Sequence, residues 1–274
     1  MVAMEHHVSG ITHFVNHYLG QLALALLAAL HIQPTDPELP IPEHVVMACV
    51  VLVLVTLLAL LLRSRLSVEK PGAMQQVAEI LLTNPLGFGI KDLLEENIHH
   101  GAAKLIPFVG SISVFVLFSN LLGILPIFTS PTGQVSVPLA CAILTFLYFN
   151  WQGIKHHGPV GYLKHFAGPV PWLSPLIFPV EIISTSARIV SLTVRLWANI
   201  FASDLLYAIF VGLFTSATLA AWAKSPVFGV IVAVFPMTIP IAFIGLHLLV
   251  SIIQAYIFTV LPSVYLGMAT ADEH

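Results

Sequence analysis

Read for polarity alone, the chain alternates long apolar runs with short polar breaks. The first unbroken run is VVMACVVLVLVTLLALLL at 45–62, with Glu43 and His44 before it and Arg63 and Arg65 after it. A helix needs roughly 20 apolar residues to cross a bilayer, so this run predicts a transmembrane span with a basic exit. Residues 66–104 are mixed. There QQVAEILLTNPLGFGIKDLLEENI has apolar positions at helical spacing, interrupted at Pro85 and Gly87, which predicts an amphipathic surface helix followed by a turn. Runs at 105–125, ending at Pro126, and at 135–151 flank the polar turn TSPTGQ and predict a hairpin of two spans. The next stretch, QGIKHHGPVGYLKHFAGPVPW at 152–172, is rich in Gly, Pro and His and reads as a structured surface loop.

Two much longer apolar tracts follow, 176–222 and 227–269, split by AKSPV. A helix of forty residues is about 60 Å long, roughly twice the hydrocarbon thickness. Each tract is therefore either two ordinary spans or one steeply tilted helix. No Gly, Asn or Asp turn divides either tract, so the pattern favours two long tilted antiparallel helices, with Pro236, Pro240 and Pro262 as kink sites in the second. The fold expected is an all-α polytopic membrane domain over 45–274 with about five crossings. Residues 1–44 form an external or interfacial segment: LGQLALALLAALHI is short, lacks a basic leader and is followed by QPTDPELP instead of a small-residue cleavage site.

Composition agrees with this picture. The chain is 58% hydrophobic and 8% charged over 274 residues, and its polar segments are too short to bury a separate soluble core. Orientation follows the basic residues. Arg63, Arg65, Lys70, Lys91 and Lys104 lie in one segment and Lys155 and Lys164 in another, and with five crossings both face the same side, the cytoplasm. The opposite loops hold only Lys224, so the N-terminus is expected outside and the C-terminus inside. Cys49 and Cys141 lie within apolar runs and give no disulfide. No Gly-rich phosphate loop, H-E-x-x-H or G-x-S-x-G occurs. The doublets His6-His7, His99-His100 and His156-His157 lack spaced partners, so neither metal nor cofactor is expected, and nothing suggests nucleic-acid binding.

The charges inside the long tracts change the picture most. Glu181, Arg188, Arg195 and Asp204 lie in the first and His247 in the second. A charge near the bilayer centre costs at least about 2.5–3.5 kcal/mol on insertion scales, so such groups face a partner or a polar cavity. Glu181, Arg188 and Arg195 are spaced by seven residues and fall on one helical stripe, which Asn199 continues. Asp204, nine residues beyond Arg195, lies about 13 Å along the axis on the opposite side, so the two cannot pair within the helix. His247, Ser251 and Gln254 make another stripe, which an antiparallel partner sets beside the first. Simple interhelical hydrogen bonding is the alternative for Ser191, Thr193 and Ser251. Guanidinium keeps its proton, so Arg195 is no relay. It is a fixed charge that would stabilise the ionised form of a mobile carboxylic acid brought up to it. Asp204 and His247 can exchange protons with water and read as an entry path, with Arg195 as the barrier to direct leakage.

PVEIISTSARIVSLTVRLWAN with LHLLVSIIQAYIFTVLPSVYLGMA resembles the a subunit of the rotary F-type ATP synthase, and SNLLGILP at 119–126 resembles the Asn-Leu-x-Gly-x-x-Pro pattern of its earlier helix. The resemblance covers most of the chain after about residue 45. It implies a proton-translocating stator subunit of a bacterial inner membrane, set against a c-subunit ring, with b subunits of a peripheral stalk and, indirectly, the F1 sector as further partners besides membrane lipid. It also implies that Arg195 faces the ring carboxylate with Asn199 one turn on. Asp204, His247 and Gln254 would belong to the half-channel open to the exterior, and Glu181 and Ser184 to the cytoplasmic one. The sequence departs from the family pattern at Ile189, where Pro is frequent, at LWAN in place of LFGN, and at Asp204, where bacterial members often have Glu. A secondary proton or cation antiporter and a sodium-coupled version of the same subunit are the competing readings, and no internal repeat of the antiporter kind is found.

Overall fold

The computed structural model describes residues 9–34, 36–84, 87–98, 101–125, 128–167 and 172–270, apart from the side chains of His165, Phe235, Met237 and Ile239. Pro85, Pro126 and the doublets His6-His7 and His99-His100 lie outside the described residues. The described chain is helical throughout, without strands: α1 (Gly10–Ala29), α2 (Glu43–Ser64), α3 (Ala73–Leu82), α4 (Ile90–Asn97), α5 (Ala102–Leu122), a short 3-10 turn (Pro131–Gly133), α6 (Ser136–Ala167), α7 (Ser174–Lys224) and α8 (Pro226–Thr270). Five of these helices are long and apolar enough to cross a membrane: α2, α5, α6, α7 and α8.

Both long tracts form single helices. α7 runs 51 residues and α8 runs 45, reversing at Ser225. α8 keeps its helix through Pro236, Pro240 and Pro262. At the reversal Gly229 lies against Trp222, so close that a Cβ there would sit 2.9 Å from the Trp222 Cα. The pair is antiparallel: Tyr207 and Phe210 of α7 meet Phe243 of α8, while Arg188 of α7 reaches Met268 of α8.

Three apolar clusters stack along α5. Ile90 and Leu94 of α4 join Leu105 and Val109, Phe149 of α6 and Leu266 of α8 at one end. Ile112 and Val116 meet Leu192, Leu196 and Ile200 of α7 and Phe258 of α8 in the middle. Met47 and Val51 of α2 pack on Leu122 at the other end. Large apolar side chains elsewhere stay uncovered, including Leu52, Leu57, Ile183, Val190 and Ile252, as expected for surfaces that face lipid.

Segment 66–104 holds two helices in place of one. Gly87, at φ 76, turns the chain between α3 and α4. α4 buries Ile90, Leu93 and Leu94, and Asn97 donates through Nδ2 to Ser263 Oγ at 3.3 Å, tying it to α8. The N-terminal α1 is pinned near α2: Asn16 Nδ2 donates to the Ile41 carbonyl at 3.0 Å, and the Ile41 N–H donates to Asn16 Oδ1 at 2.9 Å.

The expected loop at 152–172 is also largely helical. α6 continues to Ala167 and is broken only at Gly158, whose φ of 72 and ψ of 164 suit glycine alone. The second limb folds back on the first: Tyr162 donates its hydroxyl to Asn150 Oδ1 at 3.0 Å. Twelve residues of straight helix would separate them by about 18 Å. The Tyr162 ring rests on Gly153, where a Cβ would sit 2.8 Å from Cδ2. Helix-compatible residues on both sides of one Gly-Pro step explain the difference: the step is a hinge, where composition suggested a coil.

Candidate ion-translocation site

Asp204 and His247 lie on different helices, 43 positions apart in sequence, and the α7–α8 reversal brings Asp204 Oδ1 to 4.0 Å from His247 Nδ1. The histidine side chain is 9% exposed and the aspartate 58%. They border a cavity of about 270 Å³ lined by Gly123, Ser203, Tyr207, Pro240 and Phe243 among others. The other ring nitrogen, His247 Nε2, is 3.1 Å from the Asn120 carbonyl. A donating Nε2–H there leaves Nδ1 as the basic nitrogen facing Asp204. Gly123 permits this approach, since a Cβ on it would lie 3.4 Å from His247 Nε2 and 2.8 Å from the Ser130 Cβ.

Behind the histidine is a polar group drawn from SNLLGILP and TSPTGQ, two stretches that the sequence marked without bringing them together or to His247. Thr132 Oγ1 donates to Asn120 Oδ1 at 2.5 Å, Ser130 and Thr132 share a hydroxyl contact of 2.7 Å, and Ser130 Oγ donates to the Ser119 carbonyl at 3.0 Å. Asn120 Nδ2, Ser119 Oγ and Gln254 Oε1 are buried without a hydrogen-bond partner among the described residues. The signal available in the sequence was an asparagine inside an apolar run, next to the turn TSPTGQ.

Arg195 sits elsewhere. It is partly exposed, donates through Nη2 to Ser191 Oγ at 3.4 Å, and has no carboxylate within ion-pair distance among the described residues. Ser191, Asn199 and Ser184 are exposed on α7, so this strip of the helix is uncovered.

The stripe does not act as one unit. Arg188 turns into the bundle, with a side chain 16% exposed, and lies 3.9 Å from Glu181 Oε1. Its guanidinium carbon is 4.7 Å from the Tyr265 ring centre and 5.8 Å from that of Phe149, so it holds α6, α7 and α8 together by cation–π contact. Thr185 donates to the same Glu181 oxygen at 3.5 Å. The hydroxyls read as possible interhelical links bond locally: Thr193 donates to the Ile189 carbonyl at 2.8 Å, Ser251 to that of His247 at 2.7 Å, and Ser191 accepts from Arg195.

Five candidate spans with an uncovered arginine, a carboxylate–histidine pair and buried amides among them define a multi-pass membrane protein with ionisable groups in its bundle. The sequence profile of the family described as ATP synthase A chain matches residues 44–267. The ATP synthase subunit a of Koribacter versatilis is 38% identical over 268 residues, 98% of this chain and 99% of that protein. That of Solibacter usitatus is 37% identical over 235 residues, covering 86% and 90%. That of Nitratidesulfovibrio vulgaris is 38% identical over 232 residues, covering 85% and 88%. The chain belongs to the ATP synthase A chain family.

Proposed function

We propose that this chain carries protons between the exterior and a rotating ring of c subunits, and from the ring to the cytoplasm, so that proton flow drives rotation and ATP synthesis in the attached F1 sector. The observation that carries the reading is the split of charges along α7. A carboxylate–histidine pair borders a cavity at one level, and an arginine without a carboxylate partner among the described residues lies on an uncovered strip about 13 Å away along the helix.

A proton arriving from outside binds Asp204 or His247 Nδ1 and passes along water held by the buried amide of Gln254 to a ring carboxylate, neutralising it for passage through lipid. The orphaned oxygen of Gln254 and the amide of Asn120 are groups that water in a channel would satisfy. A ring carboxyl that comes round to Arg195 is stabilised as the anion and gives its proton up toward Ser184 and Glu181. Arg195, permanently charged and flanked by Asn199, repels a proton that would cross without riding the ring. The b subunits would hold the chain stationary from the peripheral stalk. The setting is a bacterial inner membrane, with the N-terminus outside and the C-terminus cytoplasmic. Membership in the family argues against an antiporter.

The assembled complex in sealed vesicles tests this. An imposed proton gradient is expected to drive ATP synthesis, while the chain alone, without a ring, moves no protons. Synthesis driven by sodium alone would replace the proton by Na⁺ in the scheme. A reporter on the C-terminus that faced the exterior would reverse the orientation.

A further inference from the structure

The back-folded end of α6 forms an open groove with α7 that the proton scheme does not use. Its cavity, about 290 Å³, lies between the two limbs around Gly158 and the start of α7 and is lined by Ile154, Pro159, Leu163, Phe166, Phe178 and Ile182. Ile154, Leu163 and Ile182 remain 38%, 57% and 43% exposed, so the groove opens outward instead of closing as core. Trp151 and Trp172, 65% and 80% exposed, flank the segment, and exposed tryptophans of membrane proteins sit at headgroup level.

Charge at the groove is one-sided. Lys155 follows Ile154 and Lys164 follows Leu163, and both lysines are exposed. The sequence has no Asp or Glu between Glu96 and Glu181. Glu181, the first acid of α7, is engaged by Arg188. An apolar slot at the acyl boundary, with two exposed lysines beside it in a stretch of sequence without acids, matches a ligand with a hydrocarbon tail and a phosphate. We infer that this groove is a binding site for an anionic phospholipid, with an acyl chain between the limbs of α6 and α7 and the headgroup phosphate held by Lys155 and Lys164.

A free phosphate would leave the apolar slot uncovered, and a zwitterionic lipid would bring its own cation to the lysines. Basic residues near an anionic lipid surface contribute roughly fivefold each, so two should give a preference of about 25-fold. The test uses the assembled complex in phosphatidylcholine vesicles carrying a trace of photoreactive lipid, with the reactive group on the acyl chain and either a phosphatidylglycerol or a phosphatidylcholine headgroup. The phosphatidylglycerol probe is expected to label the peptide 151–182 about 25-fold more strongly. Lys155→Gln with Lys164→Gln should remove that preference, and Ile182→Trp, which fills the slot without changing charge, should cut labelling by both probes. Equal labelling by the two headgroups in the native complex, or labelling unchanged in the variants, overturns the site. Excess inorganic phosphate should leave labelling intact, and displacement by it would overturn the lipid assignment. If the double lysine variant does not assemble, Ile182→Trp decides alone.

Discussion

Arg195→Ala is expected to abolish proton-driven ATP synthesis while leaving the complex assembled. Two opposite charges about 4 Å apart attract by about 4 kcal/mol at an effective dielectric near 20. Losing that stabilisation of a ring carboxylate would slow deprotonation roughly a thousandfold. Assembly should survive, because among the described residues the guanidinium makes a single weak polar contact, to Ser191, and removing a charge from a membrane span relieves an insertion cost of about 2.5–3.5 kcal/mol. Arg195→Lys should fall between, since an ammonium keeps the charge but can shed its proton in a dry site and lacks the planar fork. The measurements are ATP synthesis in inverted vesicles under an imposed gradient and passive proton leak followed with a pH dye. Retained synthesis in the alanine variant would remove Arg195 from the mechanism.

The second large effect is expected at the Asp204–His247 pair. Asp204→Asn keeps shape and hydrogen bonding but removes the exchangeable charge, and should slow proton entry about ten- to a hundredfold, the scale of one positioned acid or base. His247→Ala should do the same. Because the two groups are 4.0 Å apart, the double variant should be barely slower than either single one. Fully additive losses, or unchanged flux in both single variants, would show that they do not share a step. Folding should respond little to Asp204→Asn: the aspartate is more than half exposed, and pairs of that kind contribute about 0–1 kcal/mol.

What the sequence revealed follows from how local each signal is. The spans were legible because twenty apolar residues in a row have few other uses, and α7 and α8 were legible as single helices because nothing in 176–222 or 227–269 turns the chain. The juxtaposition of Asp204 with His247 needed only antiparallel geometry around Ser225. The turn at Gly87 was legible, but the helix α4 beyond it and the fold-back at Gly158 were not, since they hang on distant packing such as Asn97 against Ser263 and Tyr162 against Gly153.

The seven-residue stripe misled for a different reason. Glu181, Arg188 and Arg195 share a helical face, but α7 has different neighbours at each level. Tyr265 and Phe149 reach Arg188, and among the described residues no aromatic ring stacks on Arg195. Asn120 stood in a recognised motif and Thr132 in a recognised turn, but their contacts were not legible because their partners are tertiary: Asn120 meets His247 from 127 positions away.

The distribution of packing along α7 has a mechanical meaning. Its buried residues run Thr185, Leu192, Thr193, Leu196, Ile200 and Ser203, after which only Ala221 is buried. Before Asp204 the helix is seated against α5, α6 and α8; the aromatic contacts of its last stretch, from Tyr207 and Phe210, go to Phe243 of α8. The hairpin is thus a cantilever, clamped near Arg188 and free toward Ser225, and a sideways load would bend it mostly beyond Asp204. In the stator role proposed above, Arg195 would ride on the stiff part of the beam and Asp204 at the start of the compliant part.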